Sequence, residues 1–118
     1  MKIKTNELTG DALDRAVAKR EGIKLNEGNT LSNDCDVYAP STDWSQGGPI
    51  IEREGIAIDC VRKNGAVDSW IAGLIYEDKE FGGVARAEEF GPTPLIAAMR
   101  CFVASKLGDE MEIPEELK

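Results

Sequence analysis

The residue types that could do chemistry crowd into one irregular stretch, Tyr38 to Gly48, where Tyr38, Ser41, Thr42, Asp43, Trp44, Gln46, Gly47 and Gly48 lie together. Gln46-Gly47-Gly48, placed near a helix start and preceded by Ser41 and Thr42, could turn backbone N–H groups toward a phosphate. The spacing matches neither G-x-x-x-x-G-K-[ST] nor G-x-G-x-x-G, and Asp43 would repel an anion. Close backbone packing around Trp44 is the plainer expectation. Carboxylates pair at Asp34/Asp36, Glu52/Glu54 and Glu88/Glu89. Acid/base work on a glycoside would need two of them held across a cleft at a defined separation, which no spacing here imposes. Asp34-Cys35-Asp36 lacks the glycine and terminal glutamate of a calcium loop. Solvated surface is the expected role of all these acids.

The chain contains no histidine. Ser-His-Asp, Cys-His and H-E-x-x-H arrangements are therefore excluded, and the commonest zinc ligand is missing. No catalytic residue, metal site or cofactor is expected. The binding candidates remain the Tyr38–Gly48 residues. Tryptophan is enriched at binding hot spots; Trp70, within a strand pattern, reads as core, and Trp44, beside Gly-Gly-Pro, reads as exposed.

Those residues must be positioned by a domain of ordinary size and make-up. With 118 residues, 42% hydrophobic and 31% charged, the chain is expected to fold as one domain over 1–118, with 109–118 a loosely ordered acidic tail anchored by Ile113. Net charge is −8, which gives no electrostatic footprint for nucleic acid. No apolar run reaches bilayer length and the N-terminus lacks an apolar signal core, so no membrane partner and a cytoplasmic location are expected. Cys35, Cys60 and Cys101 are widely spaced, as free thiols in a reducing compartment would be.

Local patterns predict an α+β fold. Lys2–Thr5 alternates like a short edge strand. Thr9 is placed to cap a helix over 10–21, with Leu8, Ala12, Leu13, Ala16 and Val17 inward, Asp11, Asp14, Arg15 and Lys19 outward, and Gly22 as its stop. Ile23-Lys24-Leu25 reads as a strand, and 28–36 as a loop with a little β around Thr30-Leu31. A helix over about 43–54 follows, capped by Ser41 or Thr42, with Trp44, Gly48 and Ile51 inward, unless Pro49 restricts it to 49–54. Residues 56–90 predict an antiparallel meander, part of a sheet of three to four strands, with Asn64-Gly65 as a type I′ turn. Trp70, Ala72, Leu74 and Tyr76 alternate with Ile71, Gly73 and Ile75, so its middle strand should be covered at least partly on both faces. The last helix, 93–107, is capped by Thr93. Its small residues, Ala97, Ala98, Cys101, Ala104 and Ser105, require cover from helix 10–21 or from a second copy, a homodimer. Helices packed on a sheet make the whole sandwich-like.

Three segments carry a family resemblance: Glu7–Lys19, Tyr38–Gly55 and Gly91–Gly108, the second containing Ser41-Thr42-Asp43-Trp44 and the third Gly91-Pro92-Thr93-Pro94. Together they resemble the NinX-like proteins of lambdoid bacteriophages and prophages. The resemblance implies a phage or prophage origin and a host-cytoplasmic location, and it carries over no catalytic or binding residue. More weakly, the chain resembles a phage α-β-α sandwich domain with a Ser-Thr-Asp-Trp start to one helix. The expected function is a non-catalytic accessory role, binding a phage or host protein. The alternatives are a small enzyme using carboxylates with Tyr38 or Arg100 near the Trp44 loop, and an acidic decoy imitating DNA.

Overall fold

In the computed structural model, residues 2–4, 8–26, 30–31, 37–78, 82–107 and 110–112 are described. Alternation of apolar and polar residues on either side of Asn64-Gly65 produces β4 (Ala57–Lys63) and β5 (Ala66–Asp78), and β6 (Gly83–Gly91) completes the meander. All pairings are antiparallel, in the order β4-β5-β6, with Cys60 opposite Trp70 and Ile75 opposite Arg86. The hairpin turn has Asn64 at φ 55° and Gly65 at φ 82°, the positive pair a type I′ turn demands. Gly65→Ala should therefore cost about 1 kcal/mol in a urea melt, because a Cβ disfavours that backbone conformation. An unchanged midpoint would show that the turn has another route to closure.

Helix α1 (Gly10–Glu21) starts after Thr9, whose extended backbone occupies the cap position without a side-chain capping bond, and stops at the left-handed Gly22. Helix α3 (Pro94–Leu107) begins after Thr93, whose Oγ accepts the Ile96 N–H at 3.2 Å. Almost no charge interrupts α3, and a helix apolar all round belongs inside. Ala97, Ala98, Met99, Cys101, Phe102 and Val103 are all buried. The helix lies between the sheet on one side and α1 on the other, so its small-residue face is covered within the chain. Leu8, Leu13 and Val17 meet it in one core with Ala72 and Leu74 of β5. Arg100, half-buried on α3, locks this layer by donating from Nε to the Leu8 carbonyl and from Nη1 to the Phe90 carbonyl, both at 2.8 Å.

Several expectations are corrected. Asp14 of α1 is buried rather than outward. The helix over about 43–54 is continuous, α2 (Trp44–Glu54), with Pro49 inside it and Asp43 as its cap instead of Ser41 or Thr42. Its buried face is Gly47 and Ile50, not Trp44, Gly48 and Ile51. The close approach of Gly47 to the Pro40 carbonyl and to Leu95 turns that face of the helix toward the core and leaves Trp44 outside. The acidic tail is partly a strand, β7 (Glu110–Glu112), paired antiparallel with β1 (Lys2–Lys4). Thr30–Leu31 forms β3, paired with β2 (Leu25–Asn26), which is shorter than the strand read from Ile23. The second face of β5 is largely open: Ile75 is 66% exposed. Asp34, Cys35, Asp36, Gly108 and Ile113 lie outside the described residues.

Candidate functional site

The Tyr38–Gly48 residues do form one patch, built in two tiers. The lower tier is buried: Tyr38, Pro40, Ser41 and Gly47. Asp14 reaches from α1 and its Oδ1 accepts the Ser41 N–H at 2.9 Å. Burial raises the Asp14 carboxyl above its ordinary value; the Ser41 N–H bond and the nearby Ser41 hydroxyl offset part of that, and Asp11 adds to it. The Ser41 hydroxyl helps hold the charge electrostatically, yet its own Oγ has no partner at hydrogen-bond geometry among the described residues. Burial pushes the Tyr38 phenol up to about 12, with Glu21 and Asp14 adding and Arg53 opposing. Gly47 lies so close to the Pro40 carbonyl and to Leu95 of α3 that no Cβ fits. The expected packing role of the Gly-Gly pair is thus found at Pro40 and Leu95 rather than around Trp44.

The upper tier is held by short-range hydrogen bonds. The Ala39 carbonyl accepts the N–H groups of Thr42 and Asp43 at 3.1 and 2.8 Å. Gln46 turns back from α2, accepting the Ala39 N–H through Oε1 and donating from Nε2 to the Val37 carbonyl at 3.1 Å. Asp43 Oδ1 accepts the Ser45 N–H at 2.9 Å and the Ser45 hydroxyl at 2.6 Å. The N-terminus of α2 therefore already holds a carboxylate, and a phosphate would have to displace it. Thr42 and Asp43 face solvent, Gln46 and Gly48 are half-buried, and Trp44 is 55% exposed on the first turn of α2. Trp70 is partly buried against the core. What this tier offers is a rigid support for an indole ring.

A second cluster escaped the sequence reading. The last turns of α1, α2 and α3 converge on a cleft of about 230 Å³ lined by Arg20, Glu21, Arg53, Glu54, Phe102 and Lys106. Arg53 binds Glu21 through both terminal nitrogens, at 2.8 and 3.1 Å, and Glu54 through Nε at 2.8 Å. Lys106 Nζ reaches the other Glu54 oxygen at 3.1 Å. The Arg53 guanidinium also lies 5.8 Å from the Phe102 ring centroid. Burial alone would raise the Glu54 carboxyl, but the hydrogen bonds from Arg53 and Lys106 outweigh it and leave it below its ordinary value. Three helix C-termini bring roughly −0.5 charge each. The excess of cations over carboxylates here answers those dipoles. A signal was present in the sequence: Lys19, Arg20, Arg53 and Lys106 each fall in the final turn of a helix.

The cleft thus joins three helices by ion pairs, and Glu54 is held ionised within it. The acid with a raised pKa, Asp14, lies outside the cleft and under a loop. Among the described residues no group of histidine, cysteine or acidic side chains could hold a metal ion. Among the same residues no helix is long and apolar enough to cross a membrane.

No curated protein matches the sequence. The family model described as bacteriophage P22 NinX matches residues 4–106. That span takes in the Asp14 anchor, the Trp44 platform, the sheet and nearly all of α3, and the chain belongs to this phage NinX family.

Proposed function

We propose that this phage accessory protein is non-catalytic and acts in the host cytoplasm by binding a phage or host protein through the surface around Trp44. The observation that carries this reading is an indole 55% exposed on a platform whose every neighbouring turn is hydrogen-bonded or packed. An exposed tryptophan offers a large area for burial on a partner. Holding the backbone beneath the ring beforehand lowers the ordering cost of association. The net charge of −8 favours a partner with a basic surface.

Tagged protein should be recovered from phage-infected cells alongside a Trp44→Ala variant, with captured proteins compared by mass spectrometry. Loss of a central aromatic anchor should reduce capture about 30-fold. The same change should cost less than about 0.5 kcal/mol of stability, since the ring touches solvent. Trp70→Ala, packed on the core, should cost about 2 kcal/mol. Equal capture by the parent and Trp44→Ala, or equal unfolding by both tryptophan variants, would remove Trp44 as the anchor.

A further inference from the structure

The three-stranded sheet has two outer strands, β4 and β6, and their free edges are not alike. An unpaired edge is a template for another strand, and proteins normally blunt it. On β4 the ladder is interrupted between Val61 and Arg62, and Asp59 Oδ1 accepts the Cys60 N–H at 2.9 Å. On β6 the register with β5 runs from Gly83 to Gly91 without a shift. Among the described residues no strand lies beyond it.

The ladder decides which groups β6 offers. In an antiparallel pair, alternate residues bond the neighbouring strand and those between them point away. The Cys60 N–H is turned from β5 to Asp59, so Trp70, opposite it, bonds on its other side, to Gly91. Gly91, Glu89, Ala87 and Ala85 then face β5, while Phe90, Glu88, Arg86 and Val84 turn their N–H and C=O groups to the open edge. The Phe90 carbonyl agrees, since it accepts from Arg100 Nη1 of α3 and keeps a second lone pair. The side chains of these four residues share the outer face of the sheet, opposite buried Ala87.

We infer that β6 pairs with β6 of a second copy, antiparallel across a two-fold axis at Ala87, joining the two sheets into one. The residues about that axis select a second copy. They read Val84-Ala85-Arg86-Ala87-Glu88-Glu89-Phe90, apolar ends enclosing opposite charges. Charges of one sign would guard an edge; these differ in sign on either side of Ala87. The axis sets Arg86 against the partner's Glu88 and Val84 against the partner's Phe90, all at edge-facing positions, as a ladder requires. Val84 and Phe90 are 73% and 53% exposed in the single chain. Arg86 Nε lies 3.2 Å from Glu88 Oε1 of its own strand, and two copies close these pairs into a square of alternating sign. Like charges fall only on its diagonals. Glu89, on the inner face, comes opposite the partner's Ala85. An axis at Arg86 or Glu88 would set that residue against its own copy, and a more distant axis would separate the charges. Strand addition draws its affinity from main-chain bonds rather than from apolar area. An edge buries less than a standard interface, so the dimer should be reversible and fill as concentration rises.

Sedimentation equilibrium on the full chain under reductant, from about 5 µM to about 500 µM, should show the mass climbing from 12.8 kDa toward twice that value. Arg86→Glu and Glu88→Arg each set like charges across the axis, at exposed side chains. Each alone should keep the parent's circular dichroism and raise the dissociation constant at least about 10-fold. An equal mixture of the two should recover association, because each then opposes the charges of the other. Both variants stay acidic overall, so bulk attraction cannot produce that recovery. Amide exchange on the unaltered chain gives a second reading: the Arg86 and Glu88 N–H groups should slow as the dimer fills. Trp44→Ala should leave the mass profile as it is, which separates this interface from the partner-binding surface. A parent that stays at 12.8 kDa throughout overturns the inference and leaves the edge to a strand of another protein. So does a dimer with unchanged exchange at Arg86 and Glu88, or one that both variants leave intact, or a mixture that does not associate.

Discussion

Gly47→Ala should destabilise the protein by about 3 kcal/mol, lowering the melting temperature of a chain this size by roughly 10 °C. A Cβ at that position would collide with the Pro40 carbonyl oxygen and stand 2.7 Å from Leu95 Cδ2. Neither neighbour can yield cheaply. Pro40 is buried in the turn that Asp14 and Gln46 hold, and Leu95 is 3% exposed in the first turn of α3. The strain would have to move α2 bodily away from the core. Gly48 is the internal control, because a Cβ there meets nothing within 4 Å. Alanine at 48 gains helix propensity but crowds the ring of Pro49, so Gly48→Ala should fall within about 0.5 kcal/mol of the parent. Chemical denaturation of both variants decides the matter. Similar midpoints for the two would show that α2 can shift freely, and the platform would not be rigid.

That contrast marks where sequence reasoning was able to see and where it was not. The meander was legible because its information is local. Asn64-Gly65 specifies a tight turn, and alternation on either side specifies the pairing. Helix α3 was legible because its composition leaves it no exposed side. The Tyr38–Gly48 patch was found as a region but not in its parts. Whether a serine lies in the cap or under it depends on contacts from α1, separated by 27 positions in the Asp14–Ser41 bond. Asp14 itself falls on the helical face that pattern assigns to solvent. Only the loop packed over it makes that position interior. The ion-pair cleft is likewise non-local: Glu21 and Arg53 meet across 32 positions. The outer sheet face was read as covered, because an apolar strand signals cover without saying whose.

Asp14 yields the sharper electrostatic expectation. Its carboxyl is raised above the ordinary 3.8, so the folded state holds the proton more tightly than the unfolded chain does. The stability linked to that proton is fully present below 3.8 and is lost as pH rises through the raised folded value. At neutral pH the buried charge is therefore a net cost, offset in part by the Ser41 N–H that it accepts. Glu54 works in the opposite sense. Its lowered value adds stability that is present above the ordinary 4.5 and lost as pH falls through the folded value. Two replacements isolate the Asp14 contribution. Asp14→Ala leaves the Ser41 N–H buried and unpaired, and should cost about 2–3 kcal/mol at pH 7. Asp14→Asn keeps a carbonyl oxygen for that N–H and brings an amide donor for the unpartnered Ser41 hydroxyl, without a charge to desolvate. It should equal or exceed the parent at pH 7, and its advantage should shrink as pH falls toward 3.8, where the parent's carboxyl is protonated. Urea titrations across that range give the difference curve directly, with the Glu54 contribution common to both proteins. If Asp14→Asn instead loses as much as Asp14→Ala at pH 7, and that loss shrinks as the parent's carboxyl is protonated at lower pH, the carboxylate's charge is what fastens the loop. Trp44 would then stand on an ionic anchor rather than on a hydrogen-bonded one.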